Sequence, residues 1–138
     1  MNRMKKSFFE GRKAVDLEAV IQTIIKELRD NKKEQDELAA ILSSLEYNFG
    51  FAVQKTGLVR FNPFTDGGGN FSFTLALLDG HNSGVVITSM HGREQNRIYS
   101  KRIARGASEI QLTEEEQQAL ILADKKHKER NHEELILN

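Results

Sequence analysis

LEAVIQTIIKELRDNKKEQDELAAILSSLEYNF, residues 17–49, decides how this chain is built. The seam falls on a strict 4,3 rhythm: Leu17, Ile21, Ile24, Leu28, then Asn31 and Gln35, then Leu38, Leu42, Leu45 and Phe49. Read as a heptad, Ile21, Leu28, Gln35, Leu42 and Phe49 occupy a, and Leu17, Ile24, Asn31, Leu38 and Leu45 occupy d. Eight of these ten positions are apolar, and neither proline nor glycine interrupts them. A seam sustained over more than four heptads predicts a coiled-coil helix over 14–49, with Asp16 as its N-cap. Such a helix is about 50 Å long at 1.5 Å per residue. A rod of that length cannot lay its whole stripe on the small body that remains, so part of the seam needs a partner helix.

Asn31 and Gln35 interrupt the seam at its centre. They read as a polar layer that fixes register and oligomer state. The alternative is a turn at Asp30-Asn31-Lys32-Lys33 that folds the segment into an αα-hairpin. The 4,3 phase survives across the interruption, which favours the continuous rod. In a parallel pair Glu27 at g faces Lys32 at the partner's e position, a weak preference for parallel pairing. Val20, Ile25 and Ile41 widen the stripe, so higher oligomers, or packing of the rod's C-terminal half on its own β unit, stay open.

From Phe51 the period changes to alternation. Four strands are expected: 51–61, loosely alternating and interrupted at Thr56-Gly57; 71–77, with Phe71, Phe73, Leu75 and Leu77 as the buried face; 85–90; and 97–103. The connections Asp66-Gly67-Gly68-Gly69-Asn70, Asp79-Gly80-His81-Asn82-Ser83-Gly84 and His91-Gly92-Arg93-Glu94-Gln95-Asn96 are rich in turn formers. They are too short for parallel crossovers, so the strands form an antiparallel meander. Thr113-Glu114-Glu115-Glu116 matches a capping box. It opens a short C-terminal helix with Ala119, Leu120 and Ala123 as its apolar stripe, frayed beyond Asp124 into a solvated tail. The expectation is an α+β chain: an N-terminal tail at 1–13, the coiled-coil helix at 14–49, an antiparallel β domain with its C-terminal helix at 50–123, and a charged tail at 124–138.

Composition narrows the function. Twenty basic and twenty acidic residues cancel, so net charge gives nucleic acid no support as a partner. The absence of cysteine removes disulfides and thiolate metal sites. A β body of 70 to 90 residues, by the boundaries above, buries only about 60% of its unfolded surface, which leaves self-association as the source of added stability. No signal peptide or transmembrane segment is legible, and a cytoplasmic protein is expected.

Catalytic signatures are lacking. His127 and His132 lie five apart, not at the i,i+4 spacing of a helical metal pair; His81 reads as a turn residue. The glycine loop at 66–70 has neither the Lys-Ser/Thr pair nor the helix of a P-loop. No cofactor and no metal is implied. What stands out is His91 to Arg105, where Arg93, Arg97, Lys101, Arg102 and Arg105 face a single acid, Glu94. Arg97, Tyr99 and Lys101 share one strand face, in the manner of a phosphate- or nucleic-acid-binding strand, with Arg60 joining across the sheet. The bland reading is a solvated edge, neutralised in part by Glu114 to Glu116. A third reading gathers Asp66, His91, Arg93 and Tyr99 into one small-molecule or hydrolytic pocket.

The middle of the chain also carries a resemblance. Gly57-Leu58-Val59-Arg60-Phe61-Asn62-Pro63-Phe64, Asp66-Gly67-Gly68-Gly69-Asn70-Phe71-Ser72-Phe73, Leu75-Ala76-Leu77-Leu78-Asp79, Gly84-Val85-Val86-Ile87-Thr88-Ser89, His91-Gly92-Arg93-Glu94 and Arg97-Ile98-Tyr99-Ser100-Lys101 together resemble an uncharacterised bacterial family, domain of unknown function 4446. The likeness covers about Phe51 to Leu120, and Phe8-Phe9-Glu10-Gly11-Arg12 through Leu17-Glu18 resembles the segment before that family's helix. No catalytic residue is implied by it. Many members begin with a membrane-spanning helix; this chain begins after that point, so membrane association is expected only if a native N-terminal helix has been trimmed. The functional expectation is a non-enzymatic homo-oligomeric interaction or scaffold module that shows Arg60, Asp66, His91, Arg93, Arg97, Tyr99 and Lys101 to a protein partner, with nucleic-acid or phosphate binding by that face as the alternative.

Overall fold

The computed structural model of the chain describes residues 13–63 and 71–137. These form a helix α1 (Lys13–Phe49), strands β1 (Lys55–Phe61), β2 (Ser72–Leu78), β3 (Gly84–His91) and β4 (Asn96–Ile103), and a helix α2 (Glu114–Leu137). The chain divides into two compact units between Glu46 and Tyr47.

The first unit is the rod. The helix is continuous through Asp30 to Lys33, so the hairpin alternative does not occur. Asp16 lies inside the first turn rather than at the cap, where its carboxylate still complements the helix dipole. From Leu17 to Phe49 every apolar seam residue is exposed, between 38% and 63% of its surface for those on the 4,3 rhythm.

The second unit is a four-stranded antiparallel sheet in the order β1-β2-β3-β4, the expected meander. Two strand expectations need correction. The first strand begins at Lys55, because Phe51 to Gln54 form the turn that leaves α1; Thr56-Gly57 lies in the ladder and does not interrupt it. Gly57 stands where it does for helix packing. A Cβ there would collide with the carbonyl oxygen of Ala119 and come within 2.8 Å of the Ala123 nitrogen. The missing side chain lets α2 press its small residues against β1.

The second correction concerns which face is buried. In β2 the covered residues are Ser72, Thr74, Ala76 and Leu78, whereas Phe71 is 63% exposed and Phe73, Leu75 and Leu77 are only half-buried. The core is Ala76, Leu78, Val86, Ile103, Ala119 and Ala123, with Val59, Leu112 and Leu120 packed against it. Hydrophobicity pointed to the wrong face because α2 approaches with alanines, which close-pack against glycine, serine, threonine and alanine rather than against large side chains.

The capping box forms as its sequence predicts. Glu116 N donates to Thr113 Oγ1 and Thr113 N to Glu116 Oε2, each at 3.2 Å. Helix α2 then continues to Leu137 and does not fray after Asp124. Its second half contains neither proline nor glycine, an i,i+4 pair joins Asp124 and Lys128 at 2.9 Å, and Arg130 donates to the Gln54 carbonyl at 3.2 Å. The charged residues of 124–136 are solvated, as expected, but on a helix.

Replacing Gly57 by alanine tests the close approach. Forcing one methyl between β1 and α2 is expected to cost about 1–3 kcal/mol, read as a lower urea midpoint with an unchanged m-value.

Candidate functional site

Pairing register assigns every strand side chain to one of two faces, since cross-strand partners share a face. Face A lies under α2. On β4 it carries Arg97, Tyr99, Lys101 and Ile103, paired with Met90, Thr88, Val86 and Gly84. Arg97, Tyr99 and Lys101 therefore do share a face. They do not form a free basic strip. The Lys101 ammonium sits 2.9 Å from Glu116 Oε2 and donates to the Gln111 carbonyl at 2.8 Å. Glu116 is fully buried; its Oε1 accepts from Thr88 Oγ1 at 3.1 Å, and Thr88 in turn meets Thr74 Oγ1 at 3.0 Å. Lys101 thus completes a buried polar layer between sheet and helix. Tyr99 donates its hydroxyl to Met90 Sδ at 3.4 Å and has the Lys101 ammonium 5.7 Å from its ring centre.

At the β3–β4 turn, Met90, Gly92, Arg93, Glu94, Gln95 and Arg97 line a hollow of about 370 Å³. Gly92 N donates to Gln95 O at 3.0 Å to close the turn, and Arg97 donates to Gln95 Oε1 at 3.3 Å. The two arginines are the cationic groups that an anion in this hollow would meet.

Arg60 does not join them. It pairs with Phe73 on β1, at the far edge of the sheet from β4, and its row runs through Ser89 to Ile98 on the opposite face. Nor do His91 and Tyr99 converge: His91 belongs to the row of Asn96 on that other face, with its ring 5.7 Å from Phe71. The pocket of Asp66, His91, Arg93 and Tyr99 is therefore not assembled between His91 and Tyr99, and Asp66 lies outside the described residues. Among the described residues no group of three or more histidines and carboxylates could hold a metal ion.

Face B was missed as a surface. It carries Leu58 and Arg60 on β1, Phe73, Leu75 and Leu77 on β2, Val85, Ile87 and Ser89 on β3, and Ile98, Ser100 and Arg102 on β4. Leu58 is 42% and Ile98 73% exposed, and among the described residues of this unit no element covers the face. The signal was present in sequence: Ala119 and Ala123, four apart, belong with Gly57 and Ala76, which leaves the large apolar set for the other side. Together with the α1 seam, face B is apolar surface of the kind that marks interaction sites.

Around the α1–β1 junction the geometry is polar and aromatic. Phe51 packs between Tyr47 (5.2 Å) and His81 (5.0 Å), and the Gln54 amide donates to the Phe49 carbonyl at 2.9 Å, satisfying an acceptor at the helix end. Lys55, 7% exposed, donates to Asn82 Oδ1 at 2.6 Å and lies 3.5 Å from Asp124. Asp79 caps the β2–β3 turn: its Oδ1 accepts from Ser83 N (2.9 Å) and His81 N (2.8 Å). The Ser83 amide first, then that of His81, hold its carboxyl below the usual 3.8. Asp124 is lowered as well, first by its hydrogen bond from Lys128, with Lys55 adding to it.

A family model described as protein of unknown function (DUF4446) matches residues 1–123. No curated protein and no solved structure matches the chain. No helix among the described residues is long and apolar enough to cross a membrane.

Both depressed carboxyls favour the folded state above their unfolded value near 3.8, and that contribution disappears as pH falls through their lower folded values. Asp79→Asn is therefore expected to be less stable than the parent at pH 7, with the gap closing below pH 3.8 in acid-denaturation curves.

Proposed function

We propose, for a chain that belongs to the DUF4446 family and inherits no activity from it, that the protein is a non-enzymatic homo-oligomeric interaction module assembled through α1. One observation carries this reading: a continuous 37-residue helix whose 4,3 seam stays exposed along its whole length. Leaving Leu17, Ile21, Ile24, Leu28, Leu38, Leu42 and Leu45 in water forgoes about 1.5 kcal/mol or more for each side chain that a partner could bury. Asn31 and Gln35, both exposed, sit where a facing helix would be met in register by the same polar pair. The β unit then serves as the presented body. The placement of His91 and Tyr99 on opposite sheet faces removes the geometric support for a hydrolytic pocket between them.

A phosphate-ligand reading keeps one specific support, the hollow at the β3–β4 turn with Arg93 and Arg97 in its wall. It loses Lys101, whose charge is matched by Glu116. If the hollow binds phosphates, retention on heparin falls steeply with salt, and Arg97→Glu weakens it. Passage of the parent chain through the column at low salt contradicts this second reading.

Light scattering on the full chain at tens of micromolar tests the first. A defined oligomer is expected, and Leu42→Asp is expected to reduce its mass while the circular dichroism of the sheet and α2 persists. A strictly monomeric parent chain contradicts the proposal.

A further inference from the structure

We infer that face B of the sheet is a second self-association surface, which stacks on face B of another copy about a two-fold axis running along the strands. The inference rests on the homo-oligomeric reading and adds to it the surface by which the β units meet.

The register makes the face self-complementary about that axis. Such a two-fold lays β1 of one copy over β4 of its partner, and β2 over β3, at the same height. Leu75, paired with Ile87 within its own sheet, then meets the partner's Ile87; Leu77 meets the partner's Val85; and Phe73 meets the partner's Ser89. On the outer strands Leu58 faces the partner's Ser100, Thr56 faces the partner's Arg102, and Arg60 faces the partner's Ile98. No arginine meets an arginine. Among the described residues the strands carry no acidic side chain on this face between Thr56 and Arg102, so none of them buries a carboxylate unpaired in its centre. Arg60 can lay its methylene stem over Ile98, which is 73% exposed in one copy, and keep its guanidinium in water. Face-to-face sheets of this kind pack about 10 Å apart with their strands aligned to within about 30°. Face A cannot do this, because α2 already occupies it.

Size says why the face needs the α1 contact as well. Four strands about 4.8 Å apart and five residues long give roughly 320 Å² per copy, hence about 640 Å² in all. That falls short of the ~1,000 Å² that a stable interface clears. Joined to the same copy's helix seam, the second contact becomes intramolecular and is favoured by a high local concentration.

The test uses the full chain. Leu75→Glu places a charge in the middle of the stack, on a face that one copy leaves half-buried, so the variant is expected to fold with unchanged circular dichroism. Its dimer dissociation constant, from sedimentation, is expected to rise about 100-fold. The chain contains no cysteine, so Leu75→Cys and Ile87→Cys chains can be mixed and treated with a short bismaleimide, and a crosslinked heterodimer is expected. An oligomer whose affinity ignores Leu75→Glu and which gives no heterodimer overturns the sheet stack and leaves assembly through α1 standing. A folded Leu75→Glu chain with weakened assembly but no heterodimer also overturns it, by assigning the face to another occupant. A monomeric parent chain overturns both.

Discussion

The carboxylate of Glu116 is the constraint on which the β unit is organised. It is buried completely, and a buried charge without partners is costly enough to unfold a small domain. Three polar groups meet it instead. The Thr113 amide ties it to the start of α2, Lys101 ties it to β4, and Thr88, backed by Thr74, ties it to β3 and β2. One side chain thus sets where the helix begins, at what height it crosses the sheet, and which sheet face it covers. No buried polar side-chain atom among the described residues is left without a hydrogen-bond partner.

The choice of covered face has consequences for everything else. A face that offers Gly57, Ser72, Thr74 and Ala76 accepts a helix that presents Ala119 and Ala123, and the close approach brings the Lys101 and Glu116 heads together. The large apolar residues of β2 and β3 are thereby turned away from the only helix this unit folds onto its sheet among the described residues. An ordinary small domain would spend Phe73, Leu75, Leu77, Val85 and Ile87 on its own core. In this chain the polar layer takes that place, and the apolar set is left on the open face of the sheet, in a chain whose α1 seam is also unfilled. Two unfilled apolar surfaces on one chain are what the proposed self-association would resolve.

Much of the architecture was legible from residue order. The 4,3 rhythm fixed α1 and its passage through Asn31 and Gln35, the glycine- and asparagine-rich turns fixed the meander, and Thr113 with Glu116 fixed the start of α2. What failed were inferences that equated burial with hydrophobicity. Phe71, Phe73, Leu75 and Leu77 alternate so cleanly that they read as the core, yet alternation says only that two faces differ and not which one a helix will choose. The tail from Asp124 read as frayed because it is charged, whereas helix propensity and the Arg130 contact with Gln54 carry the helix on. For the candidate site, the shared face of Arg97, Tyr99 and Lys101 followed from period two, but Arg60 could not be placed without strand order. The partner of Lys101 was visible only as an acidic run at 114–116; which of those three acids turns inward depends on the capping box geometry.

A double-mutant cycle on Lys101 and Glu116, with Lys101→Met, Glu116→Gln and the pair compared by urea unfolding, tests this account at its centre. Each single change is expected to cost several kcal/mol, and the double variant is expected to recover part of that loss, giving a coupling of about 1–3 kcal/mol between residues on β4 and α2. Strictly additive losses would mean that the two side chains do not meet, and with them would go the reason that α2 covers face A and leaves face B open.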